Sequence, residues 1–433
     1  VTLESWGRFP RTTARIVPLH WRTDAPFAGA GPFLPHGLGR SYGDECLNDG
    51  GVLIRTRSLD RFIALDEDRA LLTCEAGVTL SEILKLVEPL GFGLPVVPGT
   101  KLVTVGGAIA NDVHGKNHHR AGTFGAHVEE LELLRSTGER IVCSRASHAP
   151  LFAATVGGLG LTGVIVSATI RLRRQPSPRV DAETLAIRDL REFFDLSLES
   201  DARFEYTVAW IDCLARGRHL GRGILHRGNP AQEIPPPPRS SRRLAVPFEL
   251  PVSPLNGFTV RAFNAAYYLR HRLSGGTRRV PRDPFFFPLD GVDRWNRIYG
   301  RAGFFQFQCQ LPPGAAEPGL REILSTVAAA GEGSFLAVLK NFGEATSPGL
   351  LSFPREGSTV ALDFPNRGSR TLRLFERLHA AVREHGGRIY PAKDALMPAD
   401  QFQTQHRREL PAFRAQLDPA FSSSLWRRVN PGE

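Results

Sequence analysis

Two stretches decide the fold: Gly37-Leu38-Gly39-Arg40-Ser41-Tyr42-Gly43-Asp44, and Thr104-Val105-Gly106-Gly107-Ala108-Ile109-Ala110-Asn111-Asp112-Val113-His114-Gly115-Lys116-Asn117-His118-His119. The first resembles a dinucleotide-binding turn, but its third glycine is misplaced and no helix pattern follows, so a Rossmann unit is excluded. Such a turn can instead present successive backbone N–H groups as an anion nest, with Arg40 and the Ser41 hydroxyl as further donors for a pyrophosphate. Tight glycine turns are also commonly structural, so this signal alone is weak. The second stretch runs from small residues into a polar cluster holding three histidines within six positions. Acidic ligands at helical spacing are missing and the histidines sit in a Gly/Asn loop, which disfavours a metal site. A loop that binds a ring and orients a substrate accounts for the cluster better.

Outward from these motifs, the glycines continue through Pro98-Gly99-Thr100, Gly122, Gly125 and Val156-Gly157-Gly158-Leu159-Gly160, as a fold wrapping an extended ligand requires. Short strands are expected over 52–54, 62–65 and 70–75. Thr79 and Glu82 form a capping-box pattern that predicts a helix to about Glu88. Composition shifts around 171–179, and a region of strand-like alternation follows, including 204–210. In Phe304-Phe305-Gln306-Phe307-Gln308 the alternation puts both glutamines on one strand face. Val338-Leu339-Lys340 carries a lone lysine in an apolar run, which either faces a partner or escapes to solvent at the strand end. The fold class expected is α+β. Pro235 to Pro238, with Arg239, Arg242, Arg243, Arg261, Arg270, Arg272, Arg278, Arg279 and Arg282, reads as a partly mobile basic insertion. It is either a solvated surface loop or a lid or membrane-docking element.

The chain has 433 residues, enough for two domains or one interrupted by another. No apolar run reaches the length of a membrane span, and the first fifteen residues lack the apolar stretch of a secretory signal, so a cytoplasmic location is the default. Five widely spaced cysteines without a C-x-x-C pattern fit reduced thiols and no metal site. A net charge of +10 suggests attraction to phosphates. No recognition motif organises the positive residues, which argues against nucleic acid.

Taken together, the two glycine segments resemble the FAD domain of the vanillyl-alcohol-oxidase, or PCMH-type, family. Pro98-Gly99-Thr100, His114-Gly115-Lys116-Asn117-His118-His119 and Tyr390-Pro391-Ala392-Lys393-Asp394 are similar to the branch that oxidises polyprenyl-phosphoryl pentoses. The likeness extends from Trp6 to near the C-terminus. It implies a two-part FAD-binding domain, 1–178 and 388–433, with a substrate domain inserted at 179–387 that is built on an antiparallel sheet flanked by helices and carries the mobile basic insertion near 235–283. It implies that Gly37, Leu38, Gly39, Arg40, Ser41, Tyr42, Gly43, Asp44, Gly99, Thr104, Val105, Gly106, Gly107, Asn111, Asp112, Val113, His114, Ile165 and Tyr390 line the cofactor. Many members attach FAD through a histidine where this chain has Arg40, so noncovalent FAD is implied.

By the same resemblance Lys393 is the catalytic candidate, since an amine desolvated beside a flavin can lose its proton and hydrogen-bond or deprotonate the reacting hydroxyl. Beside Asp394 it could equally be a surface lysine. His114 would orient that hydroxyl or touch the flavin, and Lys116 would attract a substrate phosphate, unless either only holds its loop. Gln306, Gln308, Lys340 and Trp210 would line the sugar pocket. The chain departs from the pattern at Phe286-Phe287, where polar residues are expected, and at Ala361 and Asn111, where cysteines are. The activity implied is oxidation of the 2-hydroxyl of a polyprenyl-phosphoryl pentose for cell-wall arabinan precursors, with a short-chain reductase as functional partner; peripheral contact at the inner face of the membrane is an expectation that rests on the basic insertion. The alternatives are an oxidase of a soluble sugar or alditol, and a flavin- or lipid-phosphate-binding protein without catalysis.

Overall fold

A computed structural model describes residues 1–232, 244–249, 251 and 253–432. Near the N-terminus, Val52–Arg55 lies between Arg15–Pro18 and Phe33–His36 in a three-stranded parallel sheet. Val52, Leu53 and Ile54 are buried, as the apolar run between two glycines and a basic residue anticipates. A five-stranded antiparallel sheet follows in the order Arg140–Ser144, Val128–Leu134, Val164–Arg171, Leu71–Glu75 and Phe62–Asp66. The Thr79 capping box forms as expected: Thr79 Oγ1 accepts from Glu82 N, and the Glu82 carboxylate accepts from Thr79 N, starting the helix Leu80–Val87.

The third sheet has eight strands, in the order Gly276–Pro281, Arg179–Ile187, Gly223–Pro230, Tyr206–Ile211, Ala337–Phe342, Gly357–Pro365, Phe304–Leu311 and Arg388–Ile389. All its pairings are antiparallel. Two strand–helix–strand–strand units build its centre. One starts at Arg179–Ile187 with the helix Leu190–Arg203, and the other at Phe304–Leu311 with the helix Ala316–Ala330. They meet edge to edge where Ala209 faces Leu339 and Trp210 faces Val338.

Side-chain alternation gives this sheet two unlike faces. Phe305, Phe307, Cys309, Ala337, Leu339, Val360, Leu362 and Phe364 pack with the helices Ala316–Ala330 and Ser369–Glu384 into the main core. The intervening positions Gln306, Gln308, Val338, Lys340 and Ala361 face a cavity. The residues that follow Phe305, Phe307, Ala337, Leu339 and Val360 are thereby delivered to the site.

Arg239, Arg242, Arg243 and Pro235 to Pro238 of the expected mobile insertion lie outside the described residues. Its remainder is not a loop. Gly257–Ser274 is a helix begun by a capping box at Asn256, and Gly276–Pro281 joins the sheet edge beside Arg179–Ile187. Buried Asn264 secures the helix by donating to the Asp212 carboxylate at 2.8 Å. The end of the chain returns to its beginning: Phe33 N donates to Ala420 O, Arg428 pairs with Asp44, and Tyr390 Oη donates to Asn111 O.

Candidate active site

A single cavity of about 1180 Å³ runs between the glycine turns and the bare face of the eight-stranded sheet. Its first wall is mostly backbone. Thr104 accepts from Gly107 N to cap Val105–Ala110, and this brings its hydroxyl beside Gly37, where an added Cβ would lie 2.5 Å away. Gly39 takes φ +59°, a left-handed conformation that suits glycine and turns the loop toward the cavity. The N–H groups of Leu38, Gly39, Arg40 and Ser41 have no acceptor among the described residues. Arg40 lies 4.1 Å over the Trp6 ring with its Nε buried and without a partner among the described residues, and burial holds its guanidinium below its ordinary value. Unfilled donors converging on one turn fit a pyrophosphate. At Gly99 an added Cβ would meet nothing within 4 Å and would stand in the cavity, so that space is left for a ligand.

The opposite wall is built from side chains. His114 Nε2 accepts from Gln308 at 3.2 Å, while its Nδ1 has no partner among the described residues. Phe342, Phe353 and Tyr390 surround its ring. Burial, then Lys340, His118 and Lys393, keep it well below the usual imidazole value, so it is neutral at pH 7. Lys340 donates to Gly115 O at 2.7 Å, and burial followed by the charges of Lys116 and Lys393 lowers it to about 7. Lys116 bonds Phe285 O, lies 5.0 Å over the Phe285 ring, and is lowered by burial to about 7. Lys393 sits 4.0 Å over Tyr42; burial lowers it to about 8, against Asp363 and Glu45, which hold its proton. An amine so placed can take a proton from a hydroxyl near neutral pH.

Sequence comparison adds to this geometry. A family model described as an FAD binding domain matches residues 28–144. The decaprenylphosphoryl-beta-D-ribose oxidase of Mycolicibacterium smegmatis is 36% identical over 99% of this chain and 97% of its own length. The chain belongs to the decaprenylphosphoryl-β-D-ribose oxidase family. A Streptomyces coelicolor protein described as an uncharacterized protein in the mprA 5'region is 34% identical over 81% of this chain and its entire length. The L-gulonolactone oxidase of Scyliorhinus torazame is 28% identical over 35% of this chain and 36% of its own. This family member is an FAD-dependent oxidoreductase of the α+β PCMH-type fold.

Within this family member, Gly37 to Tyr42, Gly99, Thr104, Gly106, Gly107, Asn111, Val113, His114, Ile165 and Tyr390 line the cavity. Lys116, Trp210, Gln306, Gln308, Lys340 and Lys393 line it as well. Lys393 is thus no surface lysine. Four positions expected at the cofactor stand behind the wall. Val105 belongs to the core; Gly43 packs on the Ala395 backbone; Asp44 binds Arg428 through two contacts of 2.8 Å; and Asp112 accepts from Gly125 N, Ser347 and Ser352. Of the two substituted phenylalanines, Phe286 is on the wall and Phe287 is packed behind it, while Ala361 faces the cavity between Gln308 and Val338.

The structure adds two acids that the motifs do not mark, Asp363 and Glu45. Asp363 accepts from Gln306 Nε2 at 2.5 Å, and burial pushes it up to about 7 although Gln306 and Lys393 oppose this. Glu45 is buried on the cavity wall and pushed up to about 7 by that burial, with one carboxylate oxygen lacking a partner among the described residues. Asp363 interrupts the apolar run 360–364 as Lys340 interrupts 337–342, so the same signal was present. Glu45 beside Asp44 reads instead as half of a solvated acidic pair. Among the described residues no group of His, Cys, Asp and Glu is placed to hold a metal ion.

Proposed function

We propose that the protein oxidises the 2-hydroxyl of a polyprenyl-phosphoryl pentose, of the decaprenylphosphoryl-ribose type, to a keto sugar used for cell-wall arabinan precursors. The observation that carries this reading is the placement of Lys393, lowered to about 8, in the same cavity as His114, Gln308 and Lys340. The relative in M. smegmatis supplies the substrate class through its name. FAD, when bound, supplies the acceptor, at flavin N5, for the hydride leaving the alcohol carbon. The unpaired N–H groups of 38–41 and Arg40 would hold its pyrophosphate. Arg40 has no nucleophile to offer the ring, which supports noncovalent binding.

The chain's own groups divide the remaining work. Unprotonated Lys393 takes the hydroxyl proton, and its neighbours Asp363 and Glu45 stabilise the ammonium that results. Gln308 holds His114 Nε2 as an acceptor, which leaves the proton on Nδ1 and fixes the neutral ring in one orientation on the cavity wall. Lys116 and Lys340, both lowered to about 7, bring two amines into one cavity, where an arriving phosphate would hold them protonated. Trp210, held by its Nε1–H to Phe335 O at 2.9 Å, offers an apolar flank. The domain division follows: 1–178 and 388–433 hold the cofactor, and 179–387 presents the substrate-facing sheet. A short-chain reductase would complete an epimerisation by returning hydride to the ketone, and the polyprenyl chain would bring the enzyme to a membrane.

The test is turnover of polyprenyl-phosphoryl ribose against free ribose and alditols, with mass analysis of the product. The expected result is loss of two hydrogens from the lipid-linked sugar alone. Equal or faster turnover of a soluble sugar or alditol would replace this reading.

A further inference from the structure

We propose that the helix Gly257–Ser274 is a membrane-docking element, laying an outward apolar stripe on an anionic lipid bilayer beside the mouth of the cavity. Each helical residue advances 100°, so Phe258, Ala262, Ala265, Ala266, Leu269 and Leu273 fall in one sector about 100° wide. Every one is exposed, and Phe258, Leu269 and Leu273 keep 80%, 48% and 75% of their surface open. The sector lies opposite Val260 and Asn264, the buried residues that fasten the helix to the protein. A surface helix ordinarily turns its apolar stripe inward, whereas this one is fastened inward by Val260 and Asn264 and turns outward an apolar stripe that has no partner among the described residues.

The flanks select the partner. Arg261 and Arg272 border the stripe on one side and Arg270 on the other, while no acidic residue occurs between Gly257 and Ser274. An apolar stripe edged by arginines suits the boundary between acyl chains and anionic headgroups. The chain's net charge of +10 acts in the same direction. The helix is also continuous with the site, because Phe263, Tyr267 and His271 from its inner edge line the cavity, with Tyr267 4.6 Å from Trp210. Among the described residues no helix is long and apolar enough to cross a membrane. Docking in the plane of the interface therefore brings the cavity mouth to the headgroups, where a lipid-linked sugar resides.

The role assigned to that sugar rests on the proposed function; the docking does not, and its test uses no substrate. The FAD-loaded full chain is floated with phosphatidylcholine vesicles, with and without phosphatidylglycerol. The expected result is partition onto the phosphatidylglycerol vesicles that weakens with salt. L269D/L273D should reduce it about tenfold or more, since charged groups replace two inserted side chains, with flavin content and circular dichroism unchanged. R261E/R272E should abolish the preference for anionic lipid. Failure of the unaltered protein to bind these vesicles, or unchanged binding by L269D/L273D, would overturn the proposal. A dimer that L269D/L273D splits, without vesicle binding by the unaltered protein, would assign the stripe to a second copy of the chain instead.

Discussion

The two walls of the cavity achieve binding by different means. The glycine wall works through backbone: Gly37 leaves room for the Thr104 hydroxyl, and the N–H groups of 38–41 have no acceptor among the described residues. The sheet wall works through side chains: alternate strand positions present Gln306, Gln308, Lys340 and Ala361 from a frame whose other face is core. A backbone site tolerates no added atom, whereas a side-chain site can exchange groups while its strands stay in place. The glycine wall should therefore keep its ligand fixed, and the sheet wall should tune which substrate is accepted and how fast it reacts.

The largest expected effect is at Lys393, where the two walls meet. Lys393→Met should lower kcat by about a hundredfold to ten-thousandfold while flavin content is unchanged, measured by anaerobic single-turnover reduction. In the unaltered protein kcat/KM should fall about tenfold per pH unit below about 8, because the amine must be unprotonated to accept the hydroxyl proton. That limb should vanish in the variant. Next comes Gly37→Ala, whose methyl would press on Thr104; it should weaken FAD by about tenfold to a hundredfold, read by flavin titration, with secondary structure retained.

On the sheet wall, Lys340→Met should raise KM for a phosphorylated substrate about tenfold. It should also leave Tm unchanged or higher near pH 7. The folded pKa of Lys340 is lowered to about 7, so between the ordinary lysine range and pH 7 the unfolded chain binds its proton first and stability declines as pH falls. The variant lacks this decline, and its advantage should shrink toward pH 10, which thermal melts across pH would show. The smallest effect is expected from Ala361→Cys, which adds one sulfur atom to an open face: kcat and KM should stay within about twofold.

The glycine wall was legible in the sequence because residues without side chains mark places where backbone must approach something. Its exceptions are instructive: Asp44 and Asp112 lie in the motif yet serve Arg428 and the Ser347–Ser352 turn, since a motif does not say which way each side chain points. On the sheet wall, the period-two alternation placed Gln306 and Gln308 on one face, and a charge in an apolar run drew attention to Lys340. Asp363, also a charge in an apolar run, carries the same signal. The segment 257–274 reads in the sequence as a mobile basic insertion because its arginines dominate the composition, although Val260, Asn264, Tyr267 and His271 keep the helical spacing of a docked face. The strand Gly276–Pro281 was hidden for a related reason: its residues are largely exposed at a sheet edge, so no hydrophobic alternation marks it.

The most direct test is the visible spectrum of the purified protein, recorded anaerobically before and after addition of polyprenyl-phosphoryl ribose, followed by acid precipitation. The account predicts a flavin that bleaches with this substrate and leaves the precipitated protein on acidification. A flavin that stays oxidised with the lipid-linked sugar but bleaches with a soluble alditol would contradict the proposed substrate, and a protein that cannot be loaded with FAD would contradict the reading of the cavity itself.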